Sequence, residues 1–207
     1  MIKAVIFDLD GVLVDAKEWH KNSLNQALKL FGCEISFKEH NKIYNGLPTK
    51  TKLKMLQKNH KLPSELHKLI FKLKQIYTNE LFALKCLPNN HQQYLFKKLK
   101  KESIKTAVAS NSIRATVDQA LHGLNIIEFL EFSLSNEDVK KPKPNPEIYL
   151  KAISKLKLDA KECLILEDNI YGIAAAKASK AHCMEIKKTE DVNHINIFNY
   201  IKSIEKQ

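Results

Sequence analysis

The chain has few cysteines and no long apolar run, and each scarcity excludes a class of protein. Although 44% of the 207 residues are hydrophobic, no run approaches the ~20 apolar residues that a membrane-spanning helix needs. The apolar segment 1–13 contains acids and lacks a small-residue cleavage site, which argues against a signal peptide. The four cysteines, Cys33, Cys86, Cys163 and Cys183, form no CxxC pair, which argues against a zinc ribbon or a disulfide framework. We expect a cytoplasmic protein in a reducing environment, with no membrane partner.

Arginine is also scarce, and this bears on the positive charge. The formal net charge is +11, yet of the 34 basic residues only Arg114 is an arginine. Proteins that read base edges rely heavily on the bidentate arginine side chain, and the lysines here are spread over the chain. We interpret the charge as a solvated lysine surface with some steering of anionic substrates, and we expect no nucleic-acid partner.

The first fifteen residues, MIKAVIFDLDGVLVD, contain the first candidate site. The apolar run 4–7 predicts a short buried strand, and Asp8, Asp10 and Gly11 follow it. In parallel sheets ligands bind beyond the carboxyl ends of strands, and residues two apart face the same side of an extended chain. One of two such close acids must be neutralised by a cation or keep its proton. The alternative is an ordinary Asp- and Gly-rich turn.

The remaining chain predicts an α/β protein with one inserted helical segment. Residues 17–31 form an amphipathic pattern, and 36–85 look almost purely helical. Beyond residue 90, helices and short apolar runs alternate, which indicates parallel pairing with right-handed crossovers. We predict a Rossmann-like parallel sheet core with helices on both faces, made of residues 1–15 and 87–207. A helical insertion spans 16–86.

Polar clusters follow three later predicted strands. Ser110-Asn111-Ser112 precedes a helix, where it would bind a phosphate oxygen or simply cap the helix. Three prolines stiffen the loop that holds Lys140 and Lys143, and a rigid lysine there would offset phosphate charge; a solvated basic loop is the alternative. Glu167-Asp168-Asn169 follows a predicted apolar strand over 163–166 and offers oxygen ligands that suit Mg²⁺.

Together, these clusters resemble the four motifs of the haloacid dehalogenase superfamily of phosphohydrolases. Within it the chain is similar to the beta-phosphoglucomutase-like branch, which carries a helical cap. The matching segments are DLDGVLVD at Asp8–Asp15, the Ser110-Asn111 step, KPNPEIYLKA at Lys143–Ala152 and LEDNIYGIAAAKA at Leu166–Ala178. The resemblance covers essentially the full length.

The resemblance implies a role for each core residue. Asp8 would be the nucleophile that forms an aspartyl phosphate, and Asp10 the general acid and then the base. Ser110 would bind phosphate with Asn111 beside it. Lys143 would steady nucleophile and phosphate; Lys141 also precedes a proline, but counting back from the Glu-Ile-Tyr that follows favours Lys143.

The implied cofactor is Mg²⁺. Asp168 would be a direct ligand, and Glu167 would bind directly or through water. Asp8 and the Asp10 carbonyl would complete the set.

The implied cap would close over the site and select the substrate. His20 and the loop 46–51 match positions where the branch contacts substrate, although His20 could equally be a half-buried helix residue. Where the branch often has an arginine, this chain has Thr49 or Lys50. Where the branch usually reads Ala-Gly-Met after the fourth motif, this chain reads Ser-Lys-Ala at 179–181, in a helix-end turn that favours glycine.

We therefore predict a magnesium-dependent phosphatase of a small phosphomonoester, such as a sugar phosphate or a phosphorylated polyol or amino alcohol. The protein would act as a monomer or weak dimer. A phosphosugar mutase is the enzymatic alternative, and a non-catalytic anion- or nucleic-acid-binding module is the alternative of another class.

Overall fold

The structure is a computed structural model that describes residues 1–44, 47–60 and 62–206. The chain forms two compact units. One, the core unit, contains Met1–Asp15 and the chain from Cys86 onward; the other, the helical unit, is Ala16–Lys85. Cys86, which the predicted boundary placed in the insertion, lies in the core unit, where its Sγ donates a hydrogen bond to the Ala120 carbonyl (3.5 Å).

Helices and strands follow the predicted order closely. In chain order the elements are β1 (Ala4–Phe7), α1 (Lys17–Lys29), α2 (Phe37–Glu39), α3 (Thr49–His60), α4 (His67–Lys85), α5 (Asn90–Lys101), β2 (Lys105–Ala109), α6 (Arg114–Leu124), β3 (Phe132–Leu134), α7 (Glu147–Leu156), β4 (Cys163–Glu167), α8 (Ile170–Ala178), β5 (His182–Glu185) and α9 (His194–Glu205). None of the helices in the described ranges is long and apolar enough to cross a membrane.

The core unit is built on a sheet of order β3-β2-β1-β4-β5 in which each neighbouring pair is parallel. All four residues of β1 are buried, as expected for a strand covered on both faces. Ile6 packs with residues of α7 and α8 in one hydrophobic cluster, whereas the ring of Phe7 lies 5.0 Å from that of Phe96 in α5. Side chains alternate along a strand, so helices cover both faces. The predicted Rossmann-like α/β class is confirmed.

The register of the sheet brings its polar residues to one edge. Phe7 pairs with Val108 of β2 and with Leu166 of β4. Asp8 follows Phe7 and Glu167 follows Leu166, so these two acids lie side by side at the carboxyl edge of the sheet.

The helical unit contains α1 to α4 and packs α1 against α4. Trp19 of α1 meets the ring of Phe82 edge-on at 5.2 Å. The first helix ends at Lys29, two residues before its predicted end, because Gly32 turns the chain with a φ of +72°. The side chain of Asn25 then holds the returning chain through two hydrogen bonds with the backbone of Ile35.

Candidate active site

Lys143 occupies the centre of the site at the carboxyl edge of the sheet. Its Nζ donates to Asp8 Oδ1 (2.8 Å), Glu167 Oε1 (2.6 Å) and the Ala109 carbonyl (2.9 Å), which uses all the protons of an ammonium group. The residue is only 4% exposed. Burial lowers the pKa of Lys143, but the charges of Asp8 and Glu167 outweigh burial and raise it. Lys141, the alternative considered from the sequence, is exposed, and its backbone N–H binds Glu147.

The site has an excess of negative charge. Asp8 is 7% exposed and Glu167 1% exposed, and one lysine bridges them. Burial, followed by the charge of Glu167, raises the pKa of Asp8 well above its ordinary value, although Lys143 opposes the shift. The described residues therefore leave the carboxylates incompletely neutralised.

The carboxylates form a set that fits a divalent cation. Oxygens of Asp8, Glu167 and Asp168 all lie within 4.8 Å of one another, and carboxylate oxygens are the ligands that Mg²⁺ prefers. Two glycines leave room for the acids. A Cβ at Gly11, where φ is +91°, would lie 2.2 Å from Asp168 Oδ2, and one at Gly172 would lie 1.9 Å from Glu167 Oε1.

The Asp10 side chain has a hydroxyl partner, Ser112, to which the family motifs assigned no role. The strand ends at Phe7 and a turn follows, in which Leu13 and Val14 donate to the Leu9 carbonyl. The half-buried Asp10 accepts a 2.7 Å hydrogen bond from Ser112 Oγ at its Oδ2. The sequence signal for Ser112 was its place in a Ser-Asn-Ser run directly after a strand.

The side chain of Asn111 binds the backbone of Lys143 through two hydrogen bonds. Its Oδ1 accepts from the Lys143 N–H (3.0 Å), and its Nδ2 donates to the Lys143 carbonyl (3.3 Å). Ser110, 1% exposed, accepts from the Ser112 N–H at its Oγ (3.0 Å). Their roles as phosphate ligands stay predictions, while the contacts show that this loop joins the surroundings of Asp10 and Lys143.

Comparison with known proteins decides the family. Residues 5–186 match the family model described as haloacid dehalogenase-like hydrolase. The chain belongs to the haloacid dehalogenase-like hydrolases. The family resemblance seen in the motifs is thereby confirmed, as is the enzyme class.

Relatives of this hydrolase include phosphatases and a mutase. The bifunctional riboflavin kinase/FMN phosphatase of Arabidopsis thaliana is 26% identical over 92% of this chain, which spans 50% of that protein. The phosphorylated carbohydrates phosphatase of Thermotoga maritima is 28% identical over 86% of this chain and 82% of its own length. Beta-phosphoglucomutase of Bacillus subtilis is 32% identical over 86% of this chain and 80% of its own length.

A solved structure shares the fold of this hydrolase. The crystal structure of beta-phosphoglucomutase from Clostridium difficile superposes with a TM-score of 0.82 at 23% identity, covering 100% of this chain and 98% of that one. At this identity, the likeness shows the fold alone.

The candidate residues of the hydrolase's helical unit have contacts within that unit. Nδ1 of the half-buried His20 lies 3.1 Å from Lys74 Nζ. Thr49 and Lys50 begin α3, and the exposed Lys50 places its Nζ 5.7 Å from the ring centroid of Phe71. Gly46, in the predicted loop 46–51, lies outside the described residues. The substrate-binding roles of His20, Thr49 and Lys50 stay predictions.

Proposed function

We propose that this hydrolase is a Mg²⁺-dependent phosphatase that cleaves a small phosphomonoester through an aspartyl phosphate. One observation carries the proposal: the Lys143 ammonium bridges the buried carboxylates of Asp8 and Glu167 at the carboxyl edge of the sheet. A binding module gains nothing from burying two carboxylates that repel each other. Phosphoryl transfer, in contrast, depends on a correctly positioned nucleophile and on positive charge beside the transferred group.

The proposed reaction has two steps on Asp8. An Asp8 oxygen attacks phosphorus, and the bond between phosphorus and the ester oxygen breaks as Asp10 gives its proton to the leaving alcohol. Water then attacks phosphorus and gives a proton to Asp10, which releases inorganic phosphate and restores Asp8. Ser112 would orient the Asp10 carboxyl through its 2.7 Å hydrogen bond.

Lys143 contributes charge and alignment. Its Nζ fixes Asp8 Oδ1 and places a positive charge beside the transferring group, which stabilises the developing negative charge. We propose that Ser110 and Asn111 bind the phosphoryl oxygens from the neighbouring loop.

Asp8, Glu167 and Asp168 would hold the Mg²⁺, with the Asp10 carbonyl as a further ligand. The bound cation supplies positive charge that offsets both the carboxylates and the phosphoryl group. The raised pKa of Asp8 supports this assignment, because a nearby cation favours the charged form of a carboxyl.

The proposed substrate is a sugar phosphate or a phosphorylated polyol or amino alcohol, and the proposed setting is the cytoplasm. The helical unit would act as the substrate-selecting cap. The Thermotoga and Bacillus relatives are named for phosphorylated carbohydrates and phosphoglucose, which supports this class of substrate.

A phosphosugar mutase is the second candidate, favoured by the 32% identity to beta-phosphoglucomutase. The absence of arginine at positions 46–51 counts against it, because a mutase must bind the second phosphate of a sugar bisphosphate. In a mutase, Lys50 would have to take the place of that arginine. Product analysis separates the two: a phosphatase releases inorganic phosphate, while a mutase retains it in the sugar and needs a bisphosphate activator.

The test is a phosphate-release screen with a panel of phosphomonoesters in Mg²⁺. We expect the wild-type protein to release phosphate from at least one small phosphomonoester and Asp8→Asn to release none. Asp118→Asn, a matched change at a half-buried acid that pairs with Arg114 and not with Lys143, should retain full activity. Failure of the whole panel with folded, Mg²⁺-supplied protein would contradict the proposal.

A further inference from the structure

A buried tyrosine lies directly beneath the proposed site. Tyr149 is in the first turn of α7 and has no exposed surface. Its hydroxyl donates to Glu167 Oε1 at 2.5 Å, and the centroid of its ring lies 4.7 Å from Lys143 Nζ. Tyr149 thus contacts two site residues, Glu167 through its hydroxyl and Lys143 through its ring face.

The hydroxyl completes the binding of the Glu167 carboxylate. Oε1 accepts from both Tyr149 and Lys143, while Oε2 accepts from the backbone N–H groups of Asp168 (3.1 Å) and Asn169 (3.4 Å). Two of these donors belong to the backbone next to Glu167. Tyr149 and Lys143 are therefore the side chains that fix the carboxylate from the opposite side.

The ring alone does not explain a tyrosine at this position. Tyr149 packs in a hydrophobic cluster that includes residues of all three central strands, β1, β2 and β4, and of α7 and α8. Phenylalanine would fill the same space there without a polar atom to satisfy. A buried tyrosine hydroxyl needs a hydrogen-bond partner, and Glu167 Oε1 is the acceptor that the fold provides.

We propose that the Tyr149 hydroxyl is a positioning group, which holds Glu167 in the orientation that serves the cation and aligns Lys143 on Asp8. This inference rests on the proposed function. Groups that orient the ligands of a metal commonly affect metal affinity or activity by 10–100-fold. Tyr149 does not touch the reacting atoms, so its loss should affect affinity for Mg²⁺ and kcat more than KM for the phosphomonoester.

The test is Tyr149→Phe, which removes one oxygen and keeps the ring. Mg²⁺ binding to the metal-free protein is measured by calorimetry, together with kcat, KM and the metal-free Tm. We expect Mg²⁺ to bind roughly tenfold more weakly, and kcat to fall with KM little changed. A lower Tm with unaltered Mg²⁺ affinity and kcat would show a purely structural role and overturn the inference.

Tyr200→Phe is the matched control. The Tyr200 hydroxyl is half-buried in the same unit and donates to the backbone carbonyl of Cys183 (2.7 Å), so the control loses a comparable bond without touching Glu167. Equal losses of Mg²⁺ affinity in the two variants would overturn the inference. If the wild-type protein neither binds Mg²⁺ nor releases phosphate, the proposed function fails as well; if it does both and Tyr149→Phe matches it, only this inference fails.

Discussion

Replacing Asp8 with asparagine should stabilise the metal-free protein while abolishing its activity. The substitution keeps the size of the side chain and removes one negative charge from the buried cluster around Lys143. Glu167 still has its ion pair with Lys143 (2.6 Å) in this variant. The expected gain arises because burial and the charge of Glu167 make the ionised form of Asp8 unfavourable in the fold.

The sign and size of this gain follow from the raised pKa of Asp8. The folded protein holds the Asp8 proton more tightly than the unfolded chain, so the contribution of Asp8 to stability falls as pH rises from about 3.9 through the raised pKa and stays low above it. Each factor of ten by which the fold disfavours ionisation of Asp8 corresponds to about 1.4 kcal/mol. At about 2–4 °C per kcal/mol for a chain of this size, Asp8→Asn should raise the Tm at pH 7 by about 3–6 °C for each such factor.

The assay is thermal unfolding of both proteins in a chelator between pH 4 and pH 8. The Tm difference should be small at pH 4 and grow toward neutral pH. Asp138→Asn is a control for which the expected change in Tm has the opposite sign. Burial raises the pKa of Asp138, but hydrogen bonds from Ser135 and the ion pair with Arg114 outweigh burial and lower this pKa. That carboxylate stabilises the fold above about pH 4, and its contribution is lost as pH falls through the lowered pKa. A fall in Tm for Asp8→Asn at pH 7, as for Asp138→Asn, would refute the charge argument.

Three other substitutions test separate parts of the structure. Ser112→Ala removes the hydrogen bond to Asp10, which carries a proton in the first step of the proposed reaction. A neutral hydrogen bond is worth about 0.5–1.5 kcal/mol, so kcat should fall about 2–10-fold in steady-state assays. Ser112→Thr should restore most of kcat, and an unchanged kcat in Ser112→Ala would contradict the orienting role. Gly172→Ala would place a Cβ 1.9 Å from Glu167 Oε1 and so displace a proposed Mg²⁺ ligand. Calorimetry should therefore show loss of Mg²⁺ binding. Normal Mg²⁺ binding would contradict the need for glycine at this position. Lys180 has a φ of +65°, a left-handed conformation that is strained for a residue with a Cβ. Lys180→Gly should therefore add about 1 kcal/mol to the free energy of unfolding and leave kcat unchanged. A lower free energy of unfolding in denaturant titrations would contradict this.

The strands could be predicted from the sequence because buried parallel strands appear as short apolar runs. The fourth strand shows the limit of that signal. Hydrophobicity predicts its end at Leu166, whereas β4 continues through Glu167, which pairs with Glu185 of β5. A buried acid interrupts the apolar pattern, and its place in the strand depends on Lys143 and Tyr149, which come from another segment.

Motif spacing placed Asp8, Lys143 and Asp168 among the candidates, but it could not show the contacts that orient them. Ser112 and Asp10 are 102 residues apart in the chain, and the turn after β1 decides which hydroxyl the acid meets. Tyr149 fits the apolar face of an amphipathic helix, so its hydroxyl carries no signal until the sheet brings Glu167 beside it. Side-chain partners across strands depend on tertiary packing, which periodicity does not encode.

The central claim is that Asp8 carries the phosphoryl group, and intact-mass spectrometry of acid-quenched protein tests it most directly. Wild-type protein mixed with Mg²⁺ and a phosphomonoester that it hydrolyses should show a species heavier by one phosphoryl group, mapped to the peptide that contains Asp8. Asp8→Asn should show neither this species nor phosphate release. A phosphoryl group on any other residue, or phosphate release by Asp8→Asn at the wild-type rate, would contradict the account.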